Sequence, residues 1–172
     1  PSLVRAWRAN GALEGCDWSS IRRFSSTGEA SNPSDMAWLM AQAGGVPVIE
    51  YCGGTEIGGG YLCGSMVQSQ RAGQFSCAAM GCRFYLLDED GTPGNMGEVA
   101  LVSPLFGASQ SLLNRQHDEV YFAGMPQGPH GERLRRHGDF LERLEGGFYR
   151  AHGRVDDTMN LGGIKVSSAE IE

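Results

Sequence analysis

Three short segments of the chain place glycine beside hydroxyl, acidic or basic residues, and such segments can bring hydrogen-bonding groups close to a ligand. They are SSTGEASNP (Ser25–Pro33), EYCGGTEIGGG (Glu50–Gly60), and RRHGDFLER (Arg135–Arg143) with the later GFYRAHGRVDD (Gly147–Asp157). Outward-pointing amides and hydroxyls favour anionic ligands, and carboxylates favour metal ions or sugar hydroxyls. These segments are therefore the candidates for chemistry in this chain.

The first segment connects a strand-like stretch, Ile21–Ser26, to the start of a helix. Asn32 suits the helix N-cap and Pro33 suits the first helical position. Backbone amides at a helix start favour an anionic or hydrogen-bonding ligand, but the same residues also suit a simple capped turn. No Gly-Lys-Ser/Thr follows, so the segment is not a Walker A loop.

The second segment follows a short apolar strand predicted at Val46–Cys52. Open α/β sheets bind ligands at the carboxyl ends of their strands, which is where this segment lies. Thr55 offers a hydroxyl to a phosphate oxygen, and Glu56 offers a hard oxygen ligand for Mg²⁺. The alternative is a solvated acidic loop with no ligand.

The third segment carries one carboxylate and one arginine suited to a sugar or a phosphate. Asp139 follows a glycine and is an acceptor for a pair of ribose hydroxyls, and the planar fork of Arg154 can bridge to sugar or phosphate. His137 suggests a metal ligand or a catalytic base, but no second His or Cys lies at ligand spacing. The pattern therefore favours a histidine in a turn.

The first half of the chain alternates strand and helix. Met36, Leu39, Met40 and Ala43 have the spacing of one buried helix face, and Gly44-Gly45 ends the helix. Strand, helix and strand with short joints predict an α/β unit with parallel strands.

From about Tyr61 onward the pattern changes to hairpins. Cys82–Gly91, Gly97–Ser103 and Asp139–Arg154 read as antiparallel strands with turns, and Gly107–Arg133 is predicted to be rich in loops. The predicted fold class is α/β: the end of a parallel α/β subdomain followed by an antiparallel, β-barrel-like subdomain.

Composition excludes several classes of function. The 172 residues include 14 Lys and Arg against 20 Asp and Glu, a net charge of −6, which disfavours a nucleic-acid partner. No apolar run approaches the ~18 residues of a membrane span, so no transmembrane segment is predicted. Five cysteines without a CxxC pair predict reduced thiols in an intracellular protein rather than disulfides or a zinc site.

Taken in order, four motifs resemble those of the adenylate-forming superfamily, the acyl- and aryl-CoA synthetases and their relatives. Gly28–Ala30 is similar to its Gly-Glu-Pro adenine segment, and Gly53–Glu56 (GGTE) contains its Thr-Glu motif. His137–Asp139 (HGD) resembles its Thr-Gly-Asp ribose motif, and Gly153–Asp157 (GRVDD) resembles its Gly-Arg-x-Asp-Asp hinge. The phrases YCGGTEIGG and AHGRVDDTMNLGGIKVSS look closest to the plant-type acyl-activating enzymes related to acetyl-CoA synthetase.

The resemblance implies an ATP-dependent acid–thiol ligase. A carboxylate attacks the α-phosphate of Mg·ATP to give acyl-AMP and pyrophosphate, and coenzyme A then takes the acyl group. The implied cofactors are ATP, Mg²⁺ and coenzyme A, and the implied partner is a small carboxylic acid. Two alternatives stay open: a ligase that loads the phosphopantetheine of a carrier protein, and a truncated product that binds nucleotide or a partner without catalysis.

The resemblance also assigns roles to single residues. Thr55 would contact the phosphate, Glu56 would hold Mg²⁺, Asp139 would accept both ribose hydroxyls and Arg154 would support the ribose. The residues that would line adenine are Gly28, Glu29 and Ala30. Two further roles fall near the end of the chain: Asp156 would be the hinge pivot, and Gly163 would line the pantetheine channel.

Four positions depart from the pattern of the family. Ala30 replaces the usual proline, and Lys165 replaces an arginine of many CoA ligases, which predicts a single-point phosphate contact. Cys52 stands where an aromatic residue is usual, so either adenine has no stacking partner or Tyr51 supplies one. Gly53 stands where acetate-specific relatives have tryptophan, which predicts an acyl pocket for a longer or bulkier acid.

The same resemblance divides the chain into three parts. Residues 1–60 would end the AMP-binding α/β subdomain, residues 61–153 would form the β-barrel-like subdomain of the same large domain, and residues 154–172 would hold the hinge and the start of a C-terminal domain. The chain is thus expected to be a fragment that lacks the upstream phosphate loop and the downstream catalytic lysine. Because the plant-like relatives are peroxisomal, the expected location is intracellular, peroxisomal or cytoplasmic.

Overall fold

A computed structural model describes residues 1–155 of the chain, together with the backbone of two strands at residues 158–161 and 164–167. Three helices and eleven strands are described in these ranges. The helices are α1 (Ser2–Ala9), α2 (Pro33–Gln42) and α3 (His117–Tyr121). The strands are β1 (Phe24–Ser26), β2 (Val48–Gly54), β3 (Gly59–Cys63), β4 (Cys77–Ala78), β5 (Phe84–Leu87), β6 (Pro93–Gly94), β7 (Met96–Val102), β8 (Leu134–Arg143), β9 (Tyr149–Arg154), β10 (Thr158–Leu161) and β11 (Ile164–Ser167).

The first sheet has the order β1-β2-β3-β4 and mixes both strand directions. β1 and β2 are parallel, with Ser26 opposite Glu50, and α2 connects them. The later pairs, β2 with β3 and β3 with β4, are antiparallel. The predicted α/β unit with parallel strands is confirmed.

Local sequence signals fix both ends of α2. The Asn32 side chain accepts a hydrogen bond of 2.9 Å from the Ser34 amide, which caps the helix at its start. Gly44 has φ of 70°, a left-handed conformation that ends the helix and that glycine adopts without strain. Met36 and Leu39 are buried against Val48 of β2, as the helical spacing predicted.

The second sheet has the order β6-β5-β7-β8-β9 and is antiparallel. Its buried face shares one hydrophobic cluster with β3, because Tyr61 and Leu62 pack with Val99 and Leu141. This shared core brings the β2–β3 connection beside β8, so two of the candidate segments meet.

The structure changes several element boundaries. β1 is shorter than the predicted Ile21–Ser26, β2 runs to Gly54 rather than ending at Cys52, and the predicted loop region Gly107–Arg133 contains the short helix α3. The first sheet continues past residue 60 into β3 and β4. The division at residues 60 and 153 stays a prediction.

His137 does not lie in a turn, so that prediction was wrong. β8 continues through HGD from Leu134 to Arg143, and the His137 side chain is buried. Gly138 adopts φ of 88°, and the pairing of β8 with β9 shifts register between Asp139 and Leu141. β8 thus continues through a glycine of positive φ, with a bulge in its pairing rather than a turn.

Asp156 and Gly163 lie outside the described residues, and only the backbone of β11 around Lys165 is described. None of the helices in the described part of the chain has both the length and the apolar character that crossing a membrane requires.

Candidate functional site

Asp139 is the centre of a buried polar cluster between β8, β2 and β3. Its Oδ2 accepts hydrogen bonds from the Tyr61 hydroxyl at 2.9 Å and from the Cys52 thiol at 3.2 Å. His137 Nε2 lies 3.1 Å from the same oxygen. Three protein groups therefore surround Oδ2, and Oδ1 is the oxygen that faces Arg154.

Strand register explains why two neighbouring strands reach one carboxylate. Cys52 pairs with Leu62 and Gly53 pairs with Gly60, so the register shifts and Tyr61 is the extra residue of a bulge. The bulge turns the Tyr61 ring toward Cys52, with its hydroxyl 3.3 Å from the Cys52 sulfur.

The electrostatics of the cluster favour a charged Asp139 held by neutral donors. Burial raises the pKa of Asp139, but the contacts with His137, Cys52 and Tyr61 outweigh it, so the pKa lies below its ordinary value. Burial and the nearby Asp139 charge raise the pKa of Cys52 to about 12. Burial is also the main cause of the raised pKa of Tyr61, so both side chains stay protonated and donate.

Glu56 lies on a single turn of 3₁₀ helix, Thr55–Ile57, that follows β2. Its carboxylate folds back over Gly54, where an added Cβ would lie 2.4 Å from the carboxylate oxygens. The Glu56 side chain remains 31% exposed, so its carboxylate is open to a ligand. The Ser109 amide holds the turn by donating to the Glu56 carbonyl at 2.7 Å.

His137 lies between the two carboxylates of the site. Its Nδ1 is 3.2 Å from Glu56 Oε1 but forms no hydrogen bond with it, so the two polar groups are close neighbours. The side chain is 2% exposed, and the ring packs edge-on against Tyr61 at 4.7 Å. One fixed imidazole thus connects Glu56 with Asp139.

Arg154 closes the cluster from β9, directly opposite Asp139 in the strand pairing. Its Nη1 donates to the His137 carbonyl at 2.9 Å and to Asp139 Oδ1 at 3.4 Å. The guanidinium lies over Gly138, where an added Cβ would come within 2.5 Å of Nη2. Glycine is favoured here by the positive φ, whereas a Cβ would displace the end of the Arg154 side chain.

The predicted adenine segment, Gly28–Ala30, lies in the loop after β1, at the carboxyl edge of the parallel strands. The hydroxyls of Ser26 and Ser31, at the two ends of this loop, are 3.3 Å apart. Ser31 also donates to Glu50 Oε2 at 2.9 Å. Glu50 is 2% exposed, and burial raises its pKa.

Comparisons with known proteins show which proteins the chain resembles. No protein-family model matches the chain. The chain is 57% identical to "Probable acyl-activating enzyme 17, peroxisomal" of Arabidopsis thaliana and 54% identical to "Hexanoyl-CoA synthase" of Cannabis sativa. Each match covers 100% of this chain and 24% of the relative, so the chain spans about a quarter of their length.

The chain is homologous to a segment of the acyl-activating enzymes. A solved structure agrees: the anthranilate CoA ligase AuaEII, in complex with anthranoyl-AMP, has a TM-score of 0.74 and 27% identity to this chain. That match covers 91% of this chain and 29% of the ligase. The fold in which the three candidate segments meet is thus shared with a segment of a CoA ligase.

The residues present fit a magnesium ion that is held mainly by substrate phosphates. Glu56 supplies one open carboxylate, and Mg²⁺ in phosphate-transfer sites commonly uses few carboxylates plus substrate oxygens. No group of three or more His, Cys, Asp and Glu side chains in the described ranges is arranged to hold a metal alone. Glu56 is thus the residue of this chain that would contribute a carboxylate to such a site.

Two neighbours on β2 face different surroundings. The Cys52 thiol is engaged with Asp139, whereas Tyr51 is 41% exposed.

An added Cβ at Gly53 would lie 2.1 Å from the Gly59 carbonyl oxygen. The close approach of β2 and β3 therefore requires glycine at position 53, so this glycine alone does not indicate the size of an acyl pocket.

Sequence reasoning missed four residues of the site: Tyr61, His137 as a contact of two carboxylates, Glu50 and Arg135. Arg135 is only 1% exposed; its Nη2 donates to Ser109 Oγ at 3.1 Å, and its guanidinium lies 3.6 Å from the centre of the Tyr121 ring. The sequence signal for Glu50 was a carboxylate at the end of an apolar strand. The pairing of Tyr61 with Asp139 had no such local signal.

Proposed function

We propose that the chain forms the adenosine- and magnesium-binding part of an ATP-dependent ligase that joins a carboxylic acid to coenzyme A. The observation that carries the proposal is the assembly of Glu56, His137, Asp139 and Arg154 from separate motifs into one connected site. The parent reaction would form acyl-AMP and pyrophosphate and then transfer the acyl group to the thiol.

The charged Asp139 supports a ribose-binding role. Its Oδ2 is surrounded by protein groups, so Oδ1 is the oxygen available to a sugar hydroxyl. Arg154 lies 3.4 Å from Oδ1 and is 47% exposed, so its planar guanidinium stands beside the place where the same sugar or its phosphate would bind. We propose that Gly28, Glu29 and Ala30 line the adenine beyond this ribose.

The turn after β2 supports a phosphate-binding role. Thr55 is exposed beside Glu56, and both lie at the carboxyl edge of the sheet. Thr55 would donate its hydroxyl to a phosphate oxygen, and Glu56 would hold Mg²⁺. The bound ion would neutralise charge on the phosphates during attack by the carboxylate, while the protein groups position the reactants.

The acid and the acceptor are narrower proposals. A relative named hexanoyl-CoA synthase supports a medium-chain acid, and a longer or bulky acid is the wider class. Coenzyme A is the proposed acceptor, with Gly163 lining its channel, Lys165 making a single phosphate contact and Asp156 acting as the hinge pivot. The name of acyl-activating enzyme 17 supports a peroxisomal location.

The test is pyrophosphate exchange and thioester formation by the full-length protein, across carboxylic acids from acetate to long-chain and aromatic acids. We expect acid-dependent exchange with ATP and Mg²⁺, and thioester only when coenzyme A is added. Exchange with thioester formed only on a carrier protein would support the carrier-loading alternative. Absence of exchange with every acid, in a protein that folds, would contradict the ligase and leave nucleotide or partner binding.

A further inference from the structure

We infer that His137 is a positioning residue that holds the proposed metal ligand Glu56 and the proposed ribose acceptor Asp139 in fixed relation to each other. The inference rests on the proposed function and adds a residue that links its metal ligand to its ribose acceptor. Its basis is geometric: Nδ1 lies 3.2 Å from Glu56 Oε1, and Nε2 lies 3.1 Å from Asp139 Oδ2.

The ring is held firmly enough to serve this purpose. The His137 side chain is 2% exposed and packs edge-on against Tyr61, and the Arg154 guanidinium is bonded to the His137 carbonyl at 2.9 Å. A side chain enclosed in this way cannot rotate without displacing its neighbours. The imidazole therefore holds both carboxylates at once, through one ring nitrogen each.

The two contacts of the ring have separable consequences. The Nε2 contact helps Tyr61 and Cys52 to hold Asp139, which fixes the oxygen that faces the ribose. The Nδ1 contact faces a carboxylate that is 31% exposed and has no ion-pair partner other than His137 in the described part of the chain. It therefore limits the positions that Glu56 can take before a metal ion arrives.

Two substitutions separate these contacts. His137→Gln places its amide nitrogen near the Nε2 position and keeps a donor for Asp139, whereas His137→Asn places its amide nitrogen near the Nδ1 position and keeps a polar group beside Glu56. Tyr61→Phe is the matched control, because it removes a donor to Asp139 from a residue without a polar contact to Glu56. All three variants are prepared in the full-length protein.

Two quantities are measured. The first is the calorimetric affinity for a non-hydrolysable ATP analogue without Mg²⁺. The second is the Mg²⁺ concentration at half-maximal pyrophosphate exchange, which we call the Mg²⁺ demand. His137→Gln should bind the analogue within about twofold of wild type but need about tenfold more Mg²⁺, the usual scale for losing a group that orients a metal ligand. His137→Asn should weaken analogue binding about tenfold, as expected for losing a contact to a charged group, with a smaller change in Mg²⁺ demand. Tyr61→Phe should weaken binding without changing Mg²⁺ demand.

Equal changes in both quantities for the Gln and Asn variants, or no change in either, would overturn the positioning role, because a residue that only fills space would not separate them. If both His137 variants fail to fold, Tyr61→Phe still decides: a changed Mg²⁺ demand there would show that loosening Asp139 alone alters metal binding, which would overturn the assignment of that effect to the Nδ1 contact with Glu56. A wild-type protein that does not bind the analogue would overturn the proposed function itself.

Discussion

Replacing Asp139 by asparagine tests the ribose-binding proposal with little change of shape. In the protein, Asp139 Oδ2 accepts hydrogen bonds from Tyr61 and Cys52 and lies close to His137. The other oxygen, Oδ1, faces Arg154. An asparagine has one acceptor oxygen, and the two donors bonded to Oδ2 favour that oxygen in the buried position. Its amide group then faces Arg154 and the ribose as a donor, where an acceptor is needed.

The expected loss is that of the charge-assisted hydrogen bonds to the ribose. Such bonds contribute about 2–4 kcal/mol in total, which corresponds to roughly 30- to 1000-fold in the dissociation constant for ATP. Asp139→Ala should lose similar affinity but should also lower the free energy of unfolding, because it leaves the donors of Tyr61 and Cys52 without an acceptor at about 1–3 kcal/mol each. Comparing the two variants separates binding from folding.

The assay is calorimetric binding of a non-hydrolysable ATP analogue to the full-length protein, with the melting temperature measured on the same samples. Glu142→Gln is the control, because Glu142 also lies in β8 but contacts His152 at 3.1 Å and Arg150 at 3.9 Å. It should leave nucleotide affinity within about twofold of wild type, because its contacts are with His152 and Arg150 rather than with Asp139. Unchanged affinity in Asp139→Asn would refute the ribose assignment.

Three further outcomes follow from burial, charge and steric contact. Because the pKa of Asp139 lies below its ordinary value, the stability from its charge is present at neutral pH and is lost as pH falls below about 4. The difference in melting temperature between wild type and Asp139→Asn should therefore narrow between pH 7 and pH 3, and a constant difference would contradict this. Glu50 should behave in the opposite way, because its pKa is raised from the ordinary value of 4.5. As pH rises above 4.5, the charged Glu50 carboxylate increasingly destabilises the folded state. Glu50→Gln should therefore not lower the free energy of unfolding at pH 7. A lower urea midpoint for Glu50→Gln at pH 7 would show that the buried charge is stabilising instead. Gly53→Ala places a Cβ 2.1 Å from the Gly59 carbonyl and should cost about 1–3 kcal/mol in urea unfolding; an unchanged midpoint would mean that β2 and β3 can separate there without loss.

The sequence was sufficient where structure depends on neighbouring residues. The start of α2 follows from Asn32 and Pro33, and its end follows from Gly44, because caps and breakers act over a single turn. The parallel pairing of β1 with β2 follows from a strand–helix–strand order with short joints. The order of the motifs also predicted that Glu56 and Asp139 belong to one site.

The sequence was insufficient where contacts join distant residues. Tyr61 and Asp139 are 78 positions apart and Cys52 and Asp139 are 87 apart, and no local periodicity records such pairs. Their meeting depends on a bulge opposite Gly53 and on a core shared by two sheets. The turn predicted at His137 was wrong for a related reason: β8 pairs with a strand on each side, which keeps the chain extended, and no residue near His137 in the sequence indicates those pairings.

Motif reasoning also treated Glu56 and Asp139 as independent, one for a metal ion and one for a sugar. The structure places one buried imidazole within 3.2 Å of the first and 3.1 Å of the second, so neither carboxylate has surroundings of its own. Residues that share a contact in this way do not contribute additively, since removing one changes what the other can bind. The functional unit is therefore the connected set of Glu56, His137 and Asp139 rather than any single motif, and His137, the member that joins the other two, is the one that its local sequence least indicated.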